Sequence, residues 1–406
     1  MLKQFQLKAL GLAAMLALVG CESTEEITEH TVAEIKPFTE KYEVDVEWQE
    51  SAGDGVGAFF SGLAPAISGD FVFAGSRAGD IYAFNKTDGD LVWSSDIRKE
   101  PPSLWTAITF ETVAPAKLSG GITAAYDNLY VGTEEGEVIA LSQTTGEILW
   151  RVEVKGEVIS SPAAGEGWIA VMTGSGNVTV LHPDTGEERW SSETDVPALS
   201  LRGTSSPSIA AGGVLVGTAT GKIKVLLLEK GIPAWEQAIG TSKGTTDLER
   251  LVDVDSSPLI NGKTVYSIAY NGNLVAIDML SGRVMWKREY SSYRNLALDN
   301  RTIYLTDAKG TVSAVDAASG IERWSISELK NRQLTQPVVY KDTIAVADFE
   351  GYIHFIDRTS GELVARHRYF NGWVNGLEGA QAKMSVADDM LYVQTRDGEV
   401  SALKLN

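Results

Sequence analysis

From about residue 42 to the end, short apolar runs of roughly four to eight residues alternate with turns rich in Gly, Asp and Asn. Within many runs, apolar and polar positions alternate with period two, the pattern of a strand with one better-buried face. The runs also recur as a unit. The motif Gly-x-(Val/Ile)-x-(Ala/Val)-(Leu/Ile/Val) opens at Gly79, Gly136, Gly176, Gly221, Gly272, Gly310, Gly351 and Gly398, counting close variants such as Gly351-Tyr352-Ile353-His354-Phe355-Ile356. Ten residues after the first seven stands a second glycine: Gly89, Gly146, Gly186, Gly231, Gly282, Gly320 and Gly361. Fourteen residues after the first six stands a tryptophan: Trp93, Trp150, Trp190, Trp235, Trp286 and Trp324, while the seventh copy has Ala365. Proline precedes the opening glycine by fourteen residues at Pro65, Pro162, Pro207, Pro258 and Pro337, and Pro115 is the same mark displaced by an insertion.

From proline to tryptophan, each unit predicts four short antiparallel strands. The proline stands where a strand start needs no ladder donor, and the second glycine stands in a hairpin that demands positive φ. A lone four-stranded sheet cannot cover its own faces, whereas radially stacked copies cover one another. The opening glycines are spaced by about 46 residues on average, near the length of a propeller blade. The expected fold is all-β: an eight-bladed β-propeller of four-stranded antiparallel blades, with the tryptophans packed between blades. The chain stops at Asn406, before an eighth outer strand. Tyr42 to Trp48 alternates like a strand and ends in the missing tryptophan, so it is expected to complete the last blade and close the ring.

The N-terminus is of another kind. Lys3 and Lys8 precede a short apolar run, Ala9 to Val19, which leads to Leu18-Val19-Gly20-Cys21. The run is too short to span a bilayer and reads as a cleaved signal over residues 1–20. Cys21, the single cysteine, resembles the lipidated residue of bacterial lipoproteins. Residues 21–41 then form a lipidated N-terminus and flexible tether, and residues 42–406 the propeller. Glu22 at the second mature position implies, by the same resemblance, sorting to the outer membrane. Loss of Lys3 and Lys8 takes the net charge from −19 to −21, which argues against nucleic acid as a ligand. With Cys21 lipidated, no thiol remains for a disulfide or a metal.

The pattern Ala-x-Asp-x-x-(Ser/Thr)-Gly-x-x-x-Trp, complete at Ala276 to Trp286 and at Ala314 to Trp324, resembles the tryptophan-docking motif of quinoprotein dehydrogenase propellers. With the lipoprotein signal and eight blades, the chain is more specifically similar to the BamB family, the propeller lipoproteins of the bacterial outer-membrane protein assembly (BAM) complex. That resemblance implies a lipid-anchored scaffold on the periplasmic face of the outer membrane, without catalysis or cofactor. It also implies that Leu199, Leu201 and Arg202 on one connector, and Asp253 and Asp255 on the next, contact a POTRA domain of BamA. Unfolded outer-membrane proteins are possible clients.

Read without the resemblance, two leucines and an arginine facing paired carboxylates make an anchor-and-charge patch. The same residues also fit a structural role, with the leucines in the core and Arg202 paired with Asp253. Asp253 and Asp255 lack the further oxygens that calcium needs. His30, His182, His354 and His367 show no metal-ligand spacing and are expected at the surface. Ser160, Ser205 and Ser256 recur in Ser-Ser-Pro with the blade, as structural serines do and nucleophiles do not. The insertion from Ile97 to Leu118 and the stretch Phe370 to Gly379 are further candidate contact segments. The competing functions are a quinoprotein (PQQ-dependent) dehydrogenase and a ligand-binding periplasmic propeller.

Overall fold

The computed structural model describes residues 31–99, 114–197, 199, 203–241, 246, 250–369, 379–380 and 382–406. Residues 33–406 form one compact unit. It holds eight four-stranded antiparallel sheets, one per sequence repeat, ordered as blades 1 to 7 (66–96, 123–153, 163–193, 208–238, 259–288, 297–326 and 338–368) and blade 8. Blade 8 combines Ser385–Ala387, Met390–Gln394 and Glu399–Leu405 with the N-terminal strand Val44–Ser51. That strand pairs antiparallel with Glu399–Leu405, from Val44 opposite Leu405 to Ser51 opposite Glu399. The ring is closed by the N-terminal strand, as the alternation from Tyr42 to Trp48 predicts.

Where the proline mark occurs in register, the inner strand starts one residue after it, at Ala66, Ala163, Ser208, Leu259 and Val338. The proline gives up no ladder bond there, and its carbonyl serves the neighbouring blade. Thr123 Oγ1 donates to Pro162 O (2.6 Å), Ser208 Oγ to Pro258 O (2.7 Å) and Ser385 Oγ to Pro65 O (2.5 Å).

The outer edge is locked by the tryptophans. Each indole Nε1 donates to a carbonyl in the outer hairpin of the next blade: Trp48 to Lys86, Trp93 to Gln143, Trp150 to Pro183, Trp190 to Leu228, Trp235 to Met279, Trp286 to Ala317 and Trp324 to Arg358, all at 2.8–3.0 Å. The same rings lie on the second glycine of that hairpin. A Cβ added to Gly231 (φ +70°) would stand 2.5 Å from Trp190 Cδ2, and one on Gly146 (φ +72°) 2.5 Å from Trp93 Cε3. The spacing of glycine and tryptophan therefore answers two demands, a left-handed backbone and the approach of a ring.

Cross-strand rows explain the alanine of the docking motif. In blade 2 the row is Tyr130, Ala140, Trp150, and in blade 6 it is Tyr304, Ala314, Trp324. The small middle residue lets the flanking rings meet over it, at 6.0 Å in blade 2 and 6.1 Å in blade 6. Blade 7 inverts the row to Ala345, Phe355, Ala365. Blade 8 has no continuous outer hairpin to receive an indole, because its last two strands come from opposite ends of the chain. Phe355 fills the space from the middle strand and packs with Leu403 and Leu405, and Tyr340 Oη donates to Asp389 O at 2.6 Å.

Two expectations change. Residues 33–41, expected within the flexible tether, run along blades 6 and 7. Ala33 N donates to Lys330 O (3.0 Å), Lys41 N to Val364 O (2.7 Å), and Arg366 donates to Lys36 O (3.0 Å) while lying 4.8 Å from the Phe38 ring centre. Arg332 Nη1 likewise donates to Ala33 O at 2.9 Å, so two arginines, Arg332 and Arg366, hold the strap through its carbonyls and its aromatic ring. His354, expected at the surface, is fully buried, with Nε2 3.0 Å from Asp348 Oδ2 and Nδ1 accepting from Arg366 Nε at 3.2 Å. Its position alternates inward in a blade whose middle strand is covered on both faces. Cys21 and residues 1–30 lie outside the described residues.

Candidate functional site

The connectors from each outer strand to the next inner strand emerge on the same face as the turns opened by Gly176 and Gly221. Between blades 3, 4 and 5 on that face lies a groove of about 460 Å³, lined among others by Ile159, Met172, Val196, Gly203, Asp253 and Asp255. Two consecutive connectors meet here. Gly203 comes so close to Asp255 that an added Cβ would stand 2.5 Å from Oδ2. Among the described residues, the two connectors thus touch at Gly203 and Asp255.

The Asp-x-Asp segment is held by its backbone. Tyr270 N donates to Asp253 O (2.8 Å), Val254 N to Thr218 O (3.2 Å) and Asn271 Nδ2 to Leu251 O (3.0 Å). Leu251, Val252 and Val254 are buried, and the Val254 side chain and carbonyl occupy the space that a Cβ on Gly217 would need. Asp253 is itself only 2% exposed, whereas Asp255 lines the groove half-buried. Burial, and the Asp253 carboxylate beside it, push the Asp255 carboxyl well above the ordinary carboxylate range. On the other connector Leu199 is 49% exposed and Val196 42%, so Leu199 is not a core residue. Leu201 and Arg202 lie outside the described residues, as do residues 100–113 of the insertion and 370–378 of the last candidate segment.

The recurring serines are structural. Ser160 Oγ donates to Met172 O (3.1 Å), Ser256 Oγ to Ile268 O (2.8 Å), and Ser205 Oγ accepts from Gly217 N (3.1 Å). Each ties a connector to the second strand of its blade.

An eight-bladed ring with docked tryptophans is common to enzymes and non-enzymes, so kinship decides between them. A family model described as outer membrane protein assembly factor BamB matches residues 102–326 and 308–406. The chain is 40% identical over 399 residues to outer membrane protein assembly factor BamB of Vibrio cholerae, covering 98% of this chain and 97% of that one. The chain belongs to the BamB family.

It is also 38% identical over 390 residues to BamB of Shewanella oneidensis (96% of each chain) and 35% over 396 residues to BamB of Escherichia coli K12 (97% of each). The crystal structure of BamB from Moraxella catarrhalis is similar with a TM-score of 0.75 at 26% identity, over 89% of this chain and 100% of that one. Quinohemoprotein alcohol dehydrogenase from Comamonas testosteroni shares the fold alone, with a TM-score of 0.66 at 12% identity over 89% of this chain and 76% of that one. As a BamB family member, the chain is a non-catalytic assembly factor associated with the outer membrane. Sequence reasoning missed the burial of Asp253. The alternation in Leu251-Val252-Asp253-Val254-Asp255 puts both carboxylates on the face opposite Val252 and Val254 and so gives no sign of it.

Proposed function

We propose that the mature chain is a scaffold held at the periplasmic face of the outer membrane by lipid on Cys21 and docked on BamA by the surface that blades 3, 4 and 5 share. In this reading residues 1–20 are removed and the segment after Cys21 tethers the propeller of residues 42–406. Leu199, Leu201 and Arg202 face a periplasmic POTRA domain, with Asp253 and Asp255 completing the patch. No cofactor takes part. By positioning its partner, the scaffold assists the folding and insertion of outer-membrane proteins, and extended clients could add to blade edges.

The observation that carries the docking reading is the contact of Gly203 with Asp255, which joins an exposed apolar connector to a carboxylate-bearing one. Apolar anchors beside polar groups on a rigid support are the composition of an interaction hot spot. The test is co-purification of BamA with the full-length lipidated chain. Leu199→Asp combined with Arg202→Ala is expected to abolish capture while leaving the thermal midpoint unchanged. Full capture by that folded variant would remove this connector from the interface.

A further inference from the structure

The outer edge of the ring changes charge from blade to blade. The chain carries −19 as a whole, yet residues 259–368, which make up blades 5 to 7, hold fourteen Lys and Arg against twelve Asp and Glu. Of the eight outer strands, two have a net positive charge: Val284–Arg288 of blade 5, with Lys287 and Arg288, and Leu363–Arg368 of blade 7, with Arg366 and Arg368. The outer strands of blades 1, 3, 4 and 8 are each net negative.

The most exposed apolar side chains sit in the same sector. Leu280, 73% exposed, lies in the outer hairpin of blade 5, and Ile321, 62% exposed, ends that of blade 6. The two elements adjoin, because Arg288 donates to Gly320 O (3.0 Å) and Ser319 O (2.6 Å) and the Trp286 ring lies on Gly320. On the outer strand of blade 5, Arg283, Met285 and Lys287 occupy alternate exposed positions, a basic, apolar, basic row. Neither Arg283 nor Lys287 forms an ion pair with a described residue. The nearby carboxylates are engaged within their own surroundings: Asp316 pairs with Arg323 (2.7 Å), Glu322 accepts from Tyr290 Oη (2.7 Å) and Asp278 from Ser281 Oγ (2.6 Å). Exposed aliphatic tips with unpaired cations beside them are the makeup of a surface that rests on anionic lipid.

The strap ends the folded chain in this sector. Ala33 is bonded to Lys330 and Arg332, between blades 6 and 7, and twelve residue steps separate it from Cys21, a reach of at most about 40 Å. Lipid on Cys21 therefore keeps the junction of blades 6 and 7 within that distance of the bilayer. An anionic surface repels the acidic outer strands of blades 1, 3, 4 and 8, so the ring meets it by the sector that is not acidic.

We propose that the outer rim of blades 5 and 6 lies on the anionic lipid surface to which the chain is anchored, with Leu280 and Ile321 in the headgroup layer and Arg283 and Lys287 on lipid phosphates. The inference rests on the lipid anchor at Cys21 and not on the BamA patch.

The experiment uses the full-length lipidated chain with one added cysteine, Leu280→Cys or Ile321→Cys, labelled with a fluorophore and held in vesicles that carry a nitroxide lipid as quencher. Leu91→Cys, on the outer strand of blade 1 and at a position 56% exposed, is the reference. In vesicles of phosphatidylcholine with phosphatidylglycerol, quenching at positions 280 and 321 is expected to exceed that at position 91 roughly twofold or more. Arg283→Gln combined with Lys287→Gln, and separately high salt, are each expected to bring it down to the level at position 91. Equal quenching at all three positions, or quenching unchanged by the glutamine pair, overturns the proposal. Shielding at position 321 that grows with the density of chains on vesicles of phosphatidylcholine alone assigns the rim to a second copy and overturns it as well. Labelling of the wild type at Cys21 would refute the lipid anchor itself, and the same probes on Cys21→Ser with added vesicles then read the rim alone.

Discussion

Replacing Gly231 with alanine should damage the fold in two separable ways. The first is backbone strain, because φ at Gly231 is +70° and a side chain there costs about 1–2 kcal/mol. The second is collision, because the new Cβ would sit 2.5 Å from Trp190 Cδ2 and 2.6 Å from Cε3. Overpacking of that kind costs a further ~1–3 kcal/mol. Trp190→Ala removes a half-buried indole and its 2.8 Å hydrogen bond to Leu228 O. Its cost should fall at the lower end of buried-tryptophan truncations, about 3 kcal/mol. In the double variant the collision has no partner, so the two losses should fall short of their sum by about 1–3 kcal/mol. Gly212 supplies the control: φ is +72° in the same blade, but nothing lies within 4 Å of an added Cβ. Gly212→Ala should show the strain alone and no coupling to Trp190→Ala. Urea midpoints for the three single variants, the two double variants and the wild type, compared at a common slope, measure all of this. Additivity of Gly231→Ala and Trp190→Ala within about 0.5 kcal/mol would mean that the glycine serves only the turn.

Deleting 33–51 should expose the ladder edge of Glu399–Leu405 and leave the Gly89 hairpin without Trp48, so the ring opens. Size-exclusion chromatography and melting should report aggregation and a lower midpoint, and a monomer as heat-resistant as the intact chain would refute closure. Asp255 binds its proton more tightly folded than unfolded, so its stabilising contribution is full below the unfolded value of 3.8 and is lost as pH rises through the folded one. Asp255→Asn should therefore be more stable than wild type at neutral pH and lose that advantage near pH 4 in melting curves; an advantage independent of pH contradicts the assignment. Arg332→Leu strands the fully buried Asp348, to which Arg332 Nε donates at 2.6 Å, and should cost about 3–5 kcal/mol in urea. Adding Asp348→Leu should recover much of it, and no recovery would show that the charge is not the cause.

The landmarks that survived the passage from sequence to structure are those whose physics is local or exactly repeated. The prolines, the paired glycines and the tryptophans each answer a backbone or docking requirement met once per blade, so their spacing alone predicts strand number, order and closure. What stayed hidden depends on neighbours in space. The alanine of the docking motif is small because Tyr130 or Tyr304 must reach across it to a tryptophan, and that partner is visible only once the strand register is known. Phe355 looked like a lesser variant of the repeat, yet it answers Ala365 one strand over. His354 and Asp348 are polar residues at inward positions, and their burial is made tolerable by their mutual hydrogen bond, by the Arg332 and Arg366 guanidinium groups and by the backbone N–H groups of Glu350 and Tyr352, none of which the sequence places beside them. The strap of residues 33–41 has no apolar pattern to announce it, because backbone carbonyls make most of its contacts.

The strap and the Gly203–Asp255 surface lie on different blades. Residues 33–41 are tied to blades 6 and 7 through Arg332 and Arg366, on the side from which the chain leads back toward Cys21. The Gly203–Asp255 surface belongs to blades 3 to 5. If the first holds the molecule to lipid and the second holds a partner, the blades between them fix the distance and angle of that partner from the membrane. A rigid spacer of this kind needs every interface to resist shear, which accounts for a hydrogen-bonded tryptophan at seven of them and for Phe355 and Tyr340 at the eighth. Weakening one interface on the arc between strap and patch, as Trp286→Ala would between blades 5 and 6, should then reduce assembly activity in cells by more than it reduces BamA capture from detergent. Equal losses in the two assays would assign the interface to stability alone.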